Sequence, residues 1–275
     1  MLKLAVIGKD VSQSLSPRMH TFILGELGEN CTYDKVSISS DDFAARAEQL
    51  FETYDAFNVT IPFKTDIKPY LSKIKGDAVS FGAVNTVLSK TREGYNTDGY
   101  GFLLMLENEG IELKEKKVLV LGAGGAGRSC IKKLMDADAH VYAYEQSMAR
   151  LEEVYREFGG FKPLERVPLE PFDIIMNCTG IGMHDTVGKT PDVRFEDRES
   201  PAFQDLLKLC ETAVDLIYVP AESEFLRIAR LFGKKTVNGE AMLFYQAYMA
   251  DCIFLSKEPN AEEAKRLFIK YGGTL

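Results

Sequence analysis

Residues 117–127 constrain this chain more than any other stretch. Val118-Leu119-Val120-Leu121 runs directly into Gly122-Ala123-Gly124-Gly125-Ala126-Gly127, after which Cys130, Ile131, Leu134 and Met135 recur at helical spacing. A short buried strand that ends in G-x-G-x-x-G and gives way to a helix is the fingerprint of a dinucleotide-binding βαβ unit. Each glycine has its own task in that reading. Gly122 makes the tight turn, Gly124 lets the backbone approach a pyrophosphate, and Gly127 lets the helix pack on the strand, so that its first N–H groups face phosphate. Taken alone, the motif also fits a glycine-rich turn in another kind of α/β protein. The next segment weighs against that: His140-Val141-Tyr142-Ala143-Tyr144 reads as a strand and ends in Glu145. That is about the twenty-residue spacing at which such units place the acid that meets the adenosine ribose.

A chain of 275 residues, 45% of them hydrophobic, is long enough for about two domains with separate cores. A net charge of −8 without any Lys/Arg cluster argues against nucleic acid or an anionic membrane as the main partner, and small molecules fit better. Cys31, Cys130, Cys178, Cys210 and Cys252 are scattered, odd in number and free of C-x-x-C, so neither a disulfide framework nor a zinc site is indicated. A reducing cytoplasm is the expected location. The apolar run Leu2 to Gly8 is too short for a signal peptide, and no stretch reaches the eighteen or so apolar residues that a bilayer requires. His20, His140 and His184 share no ligand spacing and are expected to be structural or incidental, with no metal site.

The order of elements predicts two differently built halves. A strand over Leu2 to Ile7 leads to Gly8, and Ser16-Pro17 heads a helical pattern closed by Gly28, with Ser16 as the expected N-cap and Pro17 at the first helical position. Strands follow at Thr32 to Ile38, Ala56 to Thr60 and Ala83 to Leu88, with a helix carrying Phe43, Ala47 and Leu50, which predicts a mostly parallel sheet. Thr91 to Gly94 is a turn, and Asp98 opens an amphipathic helix to Asn108. Beyond the glycine loop, a helix over Ser147 to Phe158 and strands at Asp173 to Asn177 and Ala213 to Ile217 continue a doubly wound sheet. Gly182 to Pro201 reads as a loop. Helices near Ser223 to Phe232, Glu240 to Leu255 and Ala261 to Tyr271 complete the chain.

The chemistry lies mainly outside the glycine loop. Ser14-Leu15-Ser16-Pro17 puts two hydroxyls at a helix N-terminus, a place that favours an anion such as a carboxylate, although the pair is equally explained by a cap and a loop residue. Asn58-Val59-Thr60-Ile61-Pro62-Phe63-Lys64 brings an amide, a hydroxyl and an ammonium to the C-terminal end of a strand, the edge where open α/β sheets hold ligands. A lone lysine there is more often simply solvated. Asn85-Thr86 and Asn96-Thr97-Asp98 add polar groups, and Asp98 also has the position of an N-cap.

These pieces, together with Gly82-Ala83-Val84-Asn85-Thr86, Asn96 to Gly101, Asp215 to Pro220 and Asn238 to Ala247, resemble the shikimate dehydrogenases and their quinate-dehydrogenase relatives, in the family's order and over nearly the whole chain. The resemblance implies an N-terminal α/β substrate domain (1–101 with 238–275) and a doubly wound Rossmann-type dinucleotide-binding domain (102–237). It implies the reduction of 3-dehydroshikimate to shikimate in aromatic amino-acid biosynthesis, by a monomer or homodimer. Lys64 and Asp98 would be the catalytic pair, Ser14 and Ser16 would hold the substrate carboxylate, and Thr60, Asn85 and Gln246 its hydroxyls, with Tyr218 near the ring. Gly122, Gly124, Gly125, Ala126, Gly127, Glu145, Thr179 and Gly239 would contact the cofactor. A quinate or dual-specificity enzyme is the alternative within the class, and a catalytically silent dinucleotide sensor the alternative outside it. A sensor needs no proton relay, so the presence of both Lys64 and Asp98 favours the enzyme.

The sequence departs from the family at Gln13, where a histidine is common, at Gly180, where a serine is usual, and at Tyr144-Glu145-Gln146-Ser147, in place of the usual Asn-Arg-Thr. The last change bears on the cofactor. A carboxylate at 145 can accept from the ribose 2′-hydroxyl of NAD and would repel a 2′-phosphate, so NAD is expected over NADP. The alternative leaves Glu145 solvated and gives a phosphate contact to Arg150 or Arg128.

Overall fold

The computed structural model describes residues 1–196 and 202–273. The chain divides into two compact units, Met1–Met105 with Leu243–Leu275, and Leu106–Met242. In chain order the first unit opens with β1 (Leu2–Gly8), α1 (Ser16–Glu26), β2 (Cys31–Ser37), α2 (Phe43–Thr53), β3 (Ala56–Val59), β4 (Lys73–Ile74), α3 (Asp77–Phe81), β5 (Thr86–Leu88), β6 (Glu93–Tyr95) and α4 (Asp98–Asn108). The second unit contains β7 (Lys117–Leu121), α5 (Gly125–Asp136), β8 (His140–Tyr144), α6 (Met148–Phe158), β9 (Lys162–Leu164), β10 (Phe172–Asn177), α7 (Phe203–Lys208), β11 (Cys210–Asp215), α8 (Glu224–Leu231) and β12 (Lys235–Val237). The chain returns to the first unit along α9 (Glu240–Phe254) and ends with α10 (Ala261–Tyr271).

The first sheet has the order β2-β1-β3-β5-β6-β4. Its β1 is parallel to both neighbours, but β5 runs antiparallel to β3 and to β6, so the sheet is mixed rather than mostly parallel. The difference has a local cause. The turn after Leu88 is tight enough to return the chain at once as β6, which pairs Leu88 with Glu93 and leaves no room for the crossover that a parallel neighbour requires. Ala5, Ile7, Phe57, Val59, Val84 and Val87 build the core of this sheet with Phe43, Ala47 and Leu50 of α2. On its other side Leu4, Leu24 and Ala56 pack with Phe254 and Leu255. The alternation of apolar residues along β1 and β3 therefore serves two buried faces.

The start of α1 also differs from the expectation. Ser16 is its first helical residue and caps nothing; Ser14 Oγ instead accepts the Ser16 N–H at 3.2 Å. Pro17 sits in the first turn, where its missing N–H costs no intrahelical bond.

The second sheet is parallel throughout, in the order β12-β11-β10-β7-β8-β9. After β7 the chain winds outward through β8 and β9, then returns to β10 on the other side of β7. That reversal puts the topological switch point, where doubly wound sheets bind ligands, at the C-terminal ends of β7 and β10. Leu119, Leu121, Ile175 and Ala213 face a core closed by Phe225, Leu226 and Ala229 of α8. Within the loop expected over Gly182 to Pro201, residues His184–Thr186 form a single 3₁₀ turn and Val167 bridges Phe195, while 197–201 lie outside the described residues.

Candidate active site

The first unit gathers its polar side chains at the C-terminal ends of β1 and β3. Phe63, fully buried, stacks on Phe43 with ring centroids 4.1 Å apart, and the Lys64 carbonyl accepts the Val84 N–H at 2.7 Å, which fixes the turn that presents Lys64. Its ammonium donates to Asp98 Oδ2 at 2.7 Å. The lysine side chain is 22% exposed and the aspartate 12%, so the pair borders solvent without being diluted by it. Asp98 is the first residue of α4, and its own N–H is capped by Asn96 Oδ1 at 3.0 Å rather than by its carboxylate, which is thereby left for Lys64. Asn85 Nδ2 donates to the other carboxylate oxygen, Oδ1, at 2.8 Å. Thr97 Oγ1 connects this group to Gln246 Oε1 at 3.3 Å.

Five of the expected site residues thus stand near one sheet edge. Lys64, Asp98 and Asn85 are in direct contact, Gln246 joins through Thr97, and Thr60 follows β3 immediately, its N–H on Ile7 O at 2.8 Å. Ser14 and Ser16, both half-buried, share one hydrogen bond at the head of α1. Residues not anticipated lie behind this edge. Tyr33 donates to Asn58 Oδ1 at 2.6 Å, and its ring stacks on His20 with centroids 4.6 Å apart. His20 Nδ1 in turn lies 2.6 Å from Asp251 Oδ1, both side chains being buried. Burial pushes the Asp251 carboxyl up to about 6, with His20 pulling the other way. Burial also raises the Tyr33 phenol well above its ordinary value. No local pattern announces a pair 231 residues apart in sequence.

The second unit builds its site on the glycine loop. Gly122 has φ +97°, and a Cβ there would stand 2.8 Å from Thr179 Cγ2; at Gly127 a Cβ would fall 2.1 Å from the Gly122 carbonyl oxygen. Side chains at these two positions would push α5 off β7 and the β10 loop. Around Gly124 and Gly125 there is open space, and Gly125 and Ala126 form the first turn of α5, whose N-cap Gly124 supplies no side-chain acceptor. A helix end with free N–H groups beside open space fits a dinucleotide pyrophosphate. A cavity of about 320 Å³ continues from here, lined by Gly122, Gly124, Glu145, Arg150, Thr179 and Asp192 among others.

Thr179 is held firmly: its hydroxyl donates to Asn177 Oδ1 at 2.7 Å and accepts the Ile181 N–H at 3.1 Å. Asn177 is anchored by Asp215, fully buried, which also accepts from Ile217 N–H and the Ser223 hydroxyl. Even so, burial outweighs these donors and raises the Asp215 carboxyl to about 6. Tyr218 and Gly239 belong to this unit. Gly239 is pressed against β11's continuation, where a Cβ would lie 2.0 Å from the Leu216 oxygen, and burial raises the Tyr218 phenol. Among the described residues no group of three His, Cys, Asp or Glu side chains could hold a metal ion, and no helix is long and apolar enough to cross a membrane.

Comparison with known proteins gives this geometry a family. Residues 6–87 match the family model for the shikimate dehydrogenase substrate binding domain. The NADP(+)-dependent shikimate dehydrogenase of Methanococcus maripaludis strain C7 is 33% identical over 96% of this chain and 94% of its own. That of Carboxydothermus hydrogenoformans is 32% identical over 89% and 88%. Among solved structures, shikimate 5-dehydrogenase from Thermus thermophilus in complex with NADP(H) and shikimate is 33% identical, with a TM-score of 0.82 covering 98% of this chain and all of that one.

These relatives, named for NADP, overturn the expected preference for NAD. The reason lies in what Glu145 already does. Its Oε2 accepts the Ala123 N–H of the glycine loop at 3.0 Å and its Oε1 the Ser147 N–H at 3.3 Å, so both carboxylate oxygens are already turned to backbone donors. Arg150 Nη1 lies 3.7 Å from Oε2 and offsets its charge, with more than half of the arginine side chain exposed. Arg128, in contrast, is engaged by Glu157 and stands over the Phe158 ring. Sequence identity over nearly the full length, a shared fold and the Lys64–Asp98 and glycine-loop geometry agree: the chain belongs to the shikimate dehydrogenase family.

Proposed function

We propose that this protein is an NADP-dependent shikimate dehydrogenase that interconverts 3-dehydroshikimate and shikimate. The observation that carries the reading is the carboxylate of Asp98, gripped on one oxygen by Lys64 and on the other by Asn85, at the ligand-binding edge of the first sheet. Reducing a ketone requires hydride at carbon, which the nicotinamide supplies when bound, and a proton at oxygen. Lys64 stabilises the developing alkoxide and gives that proton as general acid, then takes it back as base in the oxidation of shikimate. Asp98 fixes the direction of the ammonium and keeps its charge compensated.

Ser14 and Ser16 bind the substrate carboxylate, and Thr60, Asn85 and Gln246 its hydroxyls. On the cofactor side, Gly122 to Gly127 and the first turn of α5 hold the pyrophosphate, and Thr179 and Gly239 make further cofactor contacts. Arg150, the cation lining the cavity, takes the adenosine 2′-phosphate, its guanidinium standing 3.7 Å from Glu145 Oε2. Five free cysteines suit a reducing cytoplasm.

Steady-state assays of shikimate and quinate, each with NADP and NAD, test the substrate and cofactor together. Lys64→Ala and Asp98→Asn are expected to lower kcat by about 10²-fold or more while the protein stays folded. Retention of near-wild-type kcat by either variant would show that the pair does not act on the reacting oxygen.

A further inference from the structure

The hydrogen bonds behind Asp98 have a direction, and it is forced. Lys64 can only donate and a carboxylate can only accept, so Asn85 must turn its NH₂ to Asp98 Oδ1. The backbone N–H of Thr97, also an obligate donor, lies 3.0 Å from Asn85 Oδ1 and locks the same orientation. Thr86 Oγ1 is 2.8 Å from that oxygen, so its hydroxyl hydrogen must point there. Its lone pairs then face Asn58, whose Nδ2 donates to Thr86 Oγ1 and to the Asn85 carbonyl, both at 3.2 Å. Asn58 Oδ1 is consequently left to accept, and Tyr33 donates to it at 2.6 Å. Asn58, Asn85, Thr86 and Asp98 are each at most 8% exposed, so no solvent molecule can readily replace a missing member.

We propose that Thr86 is a positioning residue for the reaction: with Asn58 and Tyr33 it forms a one-way hydrogen-bond chain that keeps Asn85 donating to Asp98, and so holds the Asp98–Lys64 pair in line. Asn58 Nδ2 is shared between two acceptors and Asn85 Nδ2 also reaches Thr97 Oγ1 at 3.1 Å, yet every bond along the chain runs toward Asp98, and successive bonds polarise one another in the buried setting. The stack of Tyr33 on His20, itself fixed by Asp251, anchors the far end. Thr86 reaches Asp98 only through Asn85, and hence acts on geometry rather than on the reacting atoms. The inference rests on the catalytic role given above to Lys64 and Asp98.

The test compares Thr86→Val, which keeps the shape and removes the hydroxyl, with Thr86→Ser, which keeps the hydroxyl and removes the methyl group. Each is assayed for kcat and KM with shikimate and NADP, normalised to folded protein by cofactor-binding stoichiometry, beside Lys64→Ala and Asp98→Asn. Misalignment of a catalytic group by about 1 Å costs up to about 10²-fold, so Thr86→Val is expected to lower kcat about tenfold or more. KM for NADP should not move, and Thr86→Ser should restore most of the rate. Tyr33→Phe, which preserves the stack on His20, should lower kcat in the same direction and gives a second reading should Thr86→Val fold poorly.

A packing role predicts the opposite order, with serine worse than valine, and that order would overturn the proposal. So would wild-type kcat in both Thr86→Val and Tyr33→Phe while Lys64→Ala and Asp98→Asn are crippled, and in that case the catalytic pair itself would stand. Undiminished kcat in Lys64→Ala and Asp98→Asn would remove both.

Discussion

Asp215 offers a measurement in which the sign, and not just the size, is at stake. It ends β11 with no exposed surface and accepts from Asn177 Nδ2 at 3.0 Å, Ile217 N–H at 3.0 Å and the Ser223 hydroxyl. Burial nevertheless raises its carboxyl to about 6, from an ordinary value near 4. A folded-state pKa raised by about 2 units corresponds to roughly 3 kcal/mol between the protonated and ionised forms. The folded protein binds this proton more tightly than the unfolded chain does. The contribution to stability is therefore complete below about pH 4, falls as pH rises, and is gone above about pH 6.

Asp215→Asn keeps the shape and cannot titrate. Urea unfolding of both proteins, followed by far-UV circular dichroism across that window, isolates the group, because all other titrations cancel in the difference. Relative to the wild type, the variant should gain roughly 3 kcal/mol between about pH 4 and pH 7. A difference that stays level, or that moves the other way, would refute the claim that burial outweighs the three donors.

Two further outcomes concern the cofactor side. Gly127→Ala forces a methyl group to within 2.1 Å of the Gly122 oxygen, so the start of α5 must shift by about 1 Å, enough for a loss of up to about 10²-fold; KM for NADP should rise while KM for shikimate changes little. Arg150→Ala removes the cavity's cation and leaves Glu145 uncompensated, and a charged hydrogen bond is worth about 1.5 to 3 kcal/mol, so KM for NADP should rise roughly tenfold or more; an unchanged value would place the phosphate contact elsewhere.

The parts of this protein that are legible in its sequence are those whose signal is local. Val118 to Gly127 writes strand, turn and helix within a few residues of one another, and the structure builds each in that order. The strands β4 and β6 escape a reading of the sequence because two or three residues carry no measurable period, and with β6 goes the antiparallel half of the first sheet. Ser16 reads as a cap since a serine before proline satisfies the pattern, whereas the actual acceptor is Ser14, two residues earlier. Glu145 misleads for a different reason. Its chemistry is decided by the Ala123 N–H, 22 residues away on the neighbouring strand's loop, and by Arg150, so spacing alone shows where the carboxylate stands but not that it is already occupied. The chain Tyr33–Asn58–Thr86–Asn85–Asp98 is invisible in one dimension because its members come from separate strands and a helix end that only the fold brings together.

The first unit is assembled from two segments that residues 106–242 separate, and this sets a timetable for synthesis. Residues 1–105 leave the ribosome before residues 106–242, and α9 and α10 only after them, a wait of roughly 7 to 30 s at about 5–20 residues per second. Until then His20 has no Asp251, Thr97 has no Gln246, and Phe22 lacks the rings of Phe244 and Tyr271 that later enclose it. Leu4, Leu24 and Ala56 thus lack the cover of Phe254 and Leu255 during the whole of that interval, and transiently exposed apolar surface of this kind is what chaperones shield. The second unit has no such dependence: its six strands are contiguous in the chain, and it can complete its core while the first still waits.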